Sequence, residues 1–224
     1  GGTGGHFFSG VAVGEAFMTR NDDNVVVYVG TRSGIEARVG PREGLDVRFV
    51  SVSGLKGKGI AARILGLLRL PVALVQSIAL VLTERPKVVL GVGGYASGPV
   101  VLAARLLGVV TGVVEQNSVA GLTNRLLGKI VHRVFIAFEA ARRDFPAHKV
   151  DLTGNPVREK VVQLLTLEST GTVGVGERLK LLVVGGSQGA HALNMAMVAA
   201  VGAMDAAARA RLHVTHQTGA ADEE

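Results

Sequence analysis

A chain of 224 residues that is 48% hydrophobic is long and apolar enough to bury a core in one large α/β domain or two small ones, which excludes a disordered chain. Its formal charge of +6 favours an anionic partner; with no Trp, two Tyr and no run in which aromatic and basic residues alternate, base-stacking platforms are missing and no nucleic-acid partner is expected. The absence of Cys excludes disulfides, thiolate metal sites and cysteine nucleophiles, and agrees with a reducing compartment.

In chain order, the glycine-rich segment "GGTGGH" (1–6) leads into a helical pattern over 10–20. "NDDN" (21–24) reads as a helix-to-strand turn and not as a metal site. Short apolar runs at 25–30, 47–52, 87–92, 109–115, 132–138 and 180–185 predict strands, and near-continuous apolarity predicts cover on both faces. Helical patterns fall between them at 59–83, 98–107, 119–130, 157–167 and 188–208. This alternation predicts an α/β fold with a mostly parallel sheet. The longest apolar stretch, 55–82, is interrupted by Arg63, Arg69 and Pro71, so it is not a membrane span. "ESTGTVGVGE" (168–177) lacks apolar period and reads as a linker, giving a first domain over 1–167 and the start of a second over 178–224. The first residue is Gly and no signal-peptide order follows it, which suits a cytoplasmic protein. A glycine loop with no strand before it, and a second domain of one βα step plus the beginning of a strand, lead to the expectation of an incomplete protein.

Three glycine turns carry the chemistry: "GGTGGH", "GGYASG" (93–98) and "GGSQGA" (185–190). Each precedes an apolar helical pattern, so bare N–H groups and the positive end of a helix face an anion, and a diphosphate is the natural guest. One such turn is explained by close strand-to-helix packing alone; three on one architecture favour a ligand. No Gly-Lys-Ser or Gly-Lys-Thr follows, which disfavours a P-loop NTPase. "GVGGYA" (91–96) with Glu115 about 20 residues on fits a dinucleotide pattern, so a nicotinamide-dependent oxidoreductase is a rival reading.

The strings "GGTGGH", "GVGGYASGP", "EQNSVAGLTNRLLGK", "TGNPVR" and "VVGGSQGAHALN", in this order and spacing, resemble the MurG family of bacterial peptidoglycan glycosyltransferases. The resemblance runs over nearly the whole chain. It implies a GT-B architecture of two Rossmann-like domains, and an inverting transfer of N-acetylglucosamine from UDP-N-acetylglucosamine to the C4 hydroxyl of undecaprenyl-diphosphate-linked N-acetylmuramoyl-pentapeptide. It implies no metal and no cofactor, and a peripheral location at the cytoplasmic face of the plasma membrane. Carried over residue by residue, it puts donor contacts on Thr3, Gly4, Gly5, Asn117, Arg158 and Ser187; Gln188 either contacts the donor sugar or simply starts a helix, and an acceptor cleft falls on Gly93, Gly94 and Ser97, with Tyr95 either lining it or capping the core. Arg158 would offer a charged fork to the diphosphate.

His6 is the first candidate general base, because it stands beside the first glycine loop and titrates in the useful range; its alternative is hydrogen bonding to a carbonyl or to the acceptor diphosphate. Glu115 is the second candidate base, with a strand-end structural role as its alternative. Ser9 stands where the family usually carries Pro, which is expected to loosen the first helix. The chain stops at Glu224, before the family's uracil- and ribose-recognising segments, so alone it is expected to be inactive or very weak. A module that binds a polyprenyl-diphosphate sugar and relies on a separate catalytic partner is the other reading. Arg125, Lys129 and Arg133, beside Leu126, Leu127 and Ile130, suggest docking on an anionic membrane surface.

Overall fold

The computed structural model describes residues 4–52, 70–166, 178–186 and 189–223. The expected linker 168–177, the first part of the expected helix 59–83, and Thr3, Ser187 and Gln188 lie outside the described residues. The chain divides into two compact units, Gly1–Leu164 and Leu165–Glu224.

Unit 1 opens with α1 (Gly4–Arg20), which starts within the glycine segment and not at residue 10. Phe7, Val11 and Gly14 recur at helical spacing and are buried, so one face of α1 is turned into the core. Ser9 does not loosen this helix: it is buried and its hydroxyl donates to the Gly5 carbonyl at 2.9 Å, closing the first turn. The segment 21–24 is the expected turn, with Asn21 Oδ1 accepting the Asp23 N–H at 3.0 Å. Then come β1 (Tyr28–Gly30), α2 (Ile35–Val39), a 3-10 turn (Pro41–Glu43) and β2 (Val47–Phe49); β1 and β2 pair in parallel with Tyr28 opposite Val47. α3 (Leu70–Glu84) carries Pro71 in its first turn, where the missing N–H breaks no helical bond. Ala73, Ser77 and Val81 form its buried stripe.

β3 (Val88–Gly91), α4 (Ser97–Leu106), β4 (Val110–Glu115), α5 (Leu122–Gly128), β5 (Arg133–Ile136), β6 (Val150–Leu152) and α6 (Glu159–Thr166) complete the unit. β3 to β6 form a four-stranded parallel sheet in sequential order, the arrangement expected where each strand is followed by a covering segment. β4 is its buried centre, with every residue after Val110 buried. On one side Val101, Val113, Leu127, Val134 and Ile136 pack together; on another, Val50, Val52, Ala73, Ala96 and Val100 join Val29 and Val89, so the β1/β2 pair and the larger sheet share one core. α5 ends at Gly128 and not at 130, and Phe145 packs against Gly128 so closely that a Cβ there would lie 2.4 Å from Phe145 Cδ1.

Unit 2 contains β7 (Leu179–Val184), α7 (His191–Ala203), α8 (Ala206–Ala210) and β8 (Leu212–Gln217), with β7 and β8 parallel. The predicted helix 188–208 is therefore two helices, split where Asp205 caps the second by accepting the Ala208 N–H at 2.7 Å. Cover on both faces does not extend to β7: Leu179, Leu181, Leu182 and Val184 are exposed, since two described strands and their helices cannot enclose a sheet. Asn194, 4% exposed, ties this unit together by donating from Nδ2 to Thr218 O at 2.8 Å and to Asp222 Oδ2 at 2.7 Å. We expect Asn194→Ala to speed native-state hydrogen exchange of the β8 amides on the order of 10-fold, about one lost hydrogen bond, with exchange in β4 unchanged; equal rates in β8 would contradict this bracing role.

Candidate functional site

The site begins at the carboxyl ends of β3 and β4, where open parallel sheets hold their ligands. Gly93 and Gly94 follow β3 with φ of 93° and 77°, the left-handed region that favours glycine. Ser97, in the first turn of α4, donates its hydroxyl to the Gly93 carbonyl at 2.7 Å, and Gln116 at the end of β4 donates from Nε2 to Val92 O at 3.0 Å. The turn is thus fixed from both sides. Tyr95 stands at its tip, 40% exposed.

α1 is brought against this turn. A Cβ on Gly93 would lie 2.5 Å from Cδ2 of His6, and one on Gly10 would lie 3.3 Å from Val92 Cγ2, so the imidazole rests on backbone that has no side chain. Gly5 at the head of α1 is exposed, with open space where a Cβ would point. The head of α1, with His6, and the second glycine turn therefore meet at one place, and the first N–H groups of a helix have no carbonyl partner within it. The third turn belongs to unit 2: Gly186 and Gly189 have φ of 88° and 77°, and Gln217 Nε2 donates to Gly186 O at 2.9 Å.

Burial pushes the His6 imidazole below its ordinary value of 6.5, and the nearby Glu115 carboxylate pulls it only partly back. The ring is therefore neutral near pH 7 and able to take a proton. Glu115 itself is 1% exposed. Its Oε1 accepts the backbone N–H of Asn117 at 3.0 Å and Asn117 Nδ2 at 2.8 Å; its Oε2 accepts the Gly121 N–H at 3.0 Å and Asn124 Nδ2 at 3.0 Å. A carboxylate so filled has no face open to a ribose, which removes the feature that supported the oxidoreductase reading.

Arg158 is engaged by two carboxylates. Its Nη2 donates to Glu15 Oε1 and to Glu43 Oε2, both at 2.9 Å, Nε reaches Glu15 at 3.1 Å, and the guanidinium lies 5.7 Å from the Phe8 ring centroid. The fork joins α1, the Pro41–Glu43 turn and the segment before α6. These carboxylates were not foreseeable as partners, being 143 and 115 residues away in sequence.

Sequence reasoning missed Gln116, Asn124 and Asp144, which accepts the Ala120 N–H at 3.0 Å. It also missed the turn "GTRSG" (30–34), into which the buried Glu36 folds to accept the Thr31 N–H at 3.3 Å. The signal for Asn124 is a polar residue on the otherwise apolar buried side of a short helix. Among the described residues there is no cluster of His, Asp or Glu able to hold a metal ion.

The parallel sheet, the glycine turns at its carboxyl edge and the helix starts behind them define a Rossmann-like α/β unit. Residues 1–136 match the glycosyltransferase family 28 N-terminal domain, and the chain belongs to that family. It is 51% identical over its whole length to the UDP-N-acetylglucosamine--N-acetylmuramyl-(pentapeptide) pyrophosphoryl-undecaprenol N-acetylglucosamine transferase of Anaeromyxobacter sp. strain K, covering 57% of that protein. It is 47% identical to the protein of the same name from Myxococcus xanthus, over 99% of this chain and 57% of the relative. The chain therefore spans little more than half the length of these relatives. The crystal structure of Acinetobacter baumannii MurG superposes with a TM-score of 0.64 at 26% identity, over 96% of this chain and 63% of that one. A UDP co-structure of S. aureus MnaA, at TM-score 0.61 and 14% identity, covers 97% of this chain and 60% of its own and shares the fold alone.

Because the folded His6 value lies below 6.5, protonation opposes folding: the stability contributed by the neutral ring is complete above the unfolded value and is lost as pH falls from there through the folded value. NMR titration should give His6 a lower midpoint in the folded chain than in the urea-unfolded chain. Coincident midpoints would contradict the buried placement.

Proposed function

We propose that residues 1–167 form the acceptor-side domain, and those from 178 the first part of the donor-side domain, of an inverting N-acetylglucosaminyltransferase acting on a lipid-linked acceptor. The donor is UDP-N-acetylglucosamine and the acceptor is undecaprenyl-diphosphate-linked N-acetylmuramoyl-pentapeptide. The observation that carries this reading is identity near 50% along the whole chain to transferases of that name, in a unit that sets a neutral histidine against a glycine turn.

In the proposed reaction the C4 oxygen of the acceptor attacks C1 of the donor sugar, the bond from C1 to the diphosphate oxygen breaks with inversion, and UDP departs. His6 takes the hydroxyl proton. Its depressed pKa keeps the ring unprotonated at working pH, and the rigid Gly93 backbone beneath it limits its swing. Backbone N–H groups at Gly4 and Gly5, at the start of α1, are donors for diphosphate oxygens; for Thr3, Ser187 and Gln188 the donor role rests on the family resemblance alone. Gly93, Gly94, Tyr95 and Ser97 shape the acceptor cleft. Arg158, engaged by Glu15 and Glu43, acts as a brace that keeps α1 in place rather than as a direct diphosphate ligand.

The protein works at the cytoplasmic face of the bacterial plasma membrane, docked peripherally where the polyprenyl acceptor resides. No helix among the described residues is long and apolar enough to cross a membrane. Leu122, Leu126 and Ile130 are exposed and alternate with Arg125 and Lys129, whereas Leu127 faces the core. Arg125 also lies 3.6 Å from Asp144, and Arg133, which begins β5, lies 3.6 Å from Asp151, so the three cations do not form one helical stripe. Val72 and Val75 of α3 add exposed apolar surface.

A chimera of this chain with the part of the Myxococcus xanthus relative that it does not cover should release UDP only when both sugar nucleotide and lipid acceptor are present. In that chimera His6→Ala should lower kcat about 100-fold or more, while acceptor-independent UDP release or an unchanged kcat would count against the reading. The chain itself should sediment with vesicles containing phosphatidylglycerol and be released by salt. Equal binding to purely zwitterionic vesicles would refute charge-assisted docking.

A further inference from the structure

The seat of His6 is a Cα without a side chain, and a glycine backbone does not hold itself still. Gly93 and Gly94 are successive residues with φ of 93° and 77°, and glycine has the widest choice of backbone angles of any residue. The angles at one Cα are set once both peptide planes that flank it are held. Gln116 holds the plane before Gly93, through Val92 O at 3.0 Å. Ser97 holds the plane after it: from the first residue of α4 its hydroxyl donates to Gly93 O at 2.7 Å, and the residue is only 9% exposed. A serine hydroxyl has a single proton, and here Gly93 O receives it. A phosphate oxygen, which only accepts, therefore finds no donor in Ser97. The imidazole, in contrast, rests directly on what Ser97 fixes, since a Cβ on Gly93 would stand 2.5 Å from His6 Cδ2 and 2.7 Å from His6 Nε2.

We propose that Ser97 is a positioning residue for His6: its hydroxyl locks the Gly93–Gly94 peptide, and with it the backbone seat of the imidazole, and is not a donor to a ligand. The role of His6 as base rests on the glycosyltransferase reading above, and the hold of Ser97 on the ring does not.

NMR on this chain tests that hold. In the wild type the Gly93 and Gly94 amides should show no microsecond-to-millisecond exchange by relaxation dispersion; exchange there would overturn the proposal without any variant. In Ser97→Ala such exchange should appear, and the His6 midpoint should move up towards 6.5, because burial is the largest cause of its depression and a yielding seat admits water. The charges that act on His6, the amino terminus and Glu115, are the same in both chains. The β8 amide shifts, in unit 2, should not change, and Ser97→Thr, which keeps the hydroxyl, should restore the His6 midpoint. An unchanged His6 midpoint in a folded Ser97→Ala chain overturns the positioning role, as does a shift that spreads to β8. In the chimera, Ser97→Ala should lower kcat about 10-fold and leave both KM values within about twofold. A raised KM for the lipid acceptor at unchanged kcat would make Ser97 a ligand contact and overturn the proposal. A wild-type chimera without transfer, with the NMR signatures intact, counts against the transferase reading and leaves the hold of Ser97 on the ring supported.

Discussion

A carboxylate at the end of a buried central strand must be surrounded by hydrogen-bond donors, and the architecture of this site follows from how the chain supplies them. Glu115 is the last residue of β4, paired in register with Ile136 of β5, and an uncompensated charge there would cost several kcal/mol. The donors come from the turn that follows and from the first turns of α5. Once Asn117, Gly121 and Asn124 are held to that carboxylate, the path of 116–121 is fixed and α5 has one direction in which to run. Asp144 adds a second anchor through the Ala120 N–H. The exposed side chains of Leu122 and Leu126 are then outward for a structural reason: the opposite side of α5 is taken by Asn124 and Leu127, both buried.

The contact of α1 with the second glycine turn obeys a different constraint, steric rather than electrostatic. An imidazole can lie on a main chain only where no Cβ intervenes, and Gly93 provides that in a backbone conformation costly for other residues. Ser97 and Gln116 hold the carbonyls on both sides of the same turn, so it cannot yield to the ring. Arg158 works from the far side, tying Glu15 near the middle of α1 to Glu43. A helix bearing the proposed base is thereby fixed at its first turn by packing and farther along by ion pairs, and the preorganisation that proton transfer needs comes from elements well separated in sequence.

The legibility of these features in the sequence tracks the distance between partners. Strands β3, β4, β5 and β7 stand out as apolar runs, and their parallel order followed from the helices between them. β6 escaped notice because "VDL" is three residues long and carries a charge, and α2 because five residues are too few for an apolar pattern to repeat. The structural alternative for Glu115 could be entertained because its donors are two, six and nine residues away. The engagement of Arg158 could not, since nothing local distinguishes an arginine aimed at a diphosphate from one aimed at two distant glutamates. The packing of Phe145 on Gly128 is likewise a tertiary contact that no periodicity announces.

The two units meet a common problem with the same residue type and different wiring. Asn124 and Asn194 each sit in the opening turn or two of a helix, are nearly inaccessible, and use Nδ2 to bridge a backbone carbonyl and a carboxylate. In unit 1 the bridge returns to the strand just before it, reaching Val114 O at 2.9 Å, so the turn after β4 is self-contained. In unit 2 it crosses to the segment after β8, where Gly189 approaches so closely that a Cβ would lie 1.7 Å from Thr218 O. The third glycine turn is thus held by residues that follow a different strand, through Asn194, through Gln217 and through the contact of His191 with Asp222 at 3.1 Å. Both carbonyl oxygens, Asn124 Oδ1 and Asn194 Oδ1, are buried without a protein partner, a cost tolerated because each amide satisfies two acceptors at once. A turn of this kind has its geometry set by the hydrogen bonds behind it, in unit 1 through the Asn117, Ala120 and Gly121 amides.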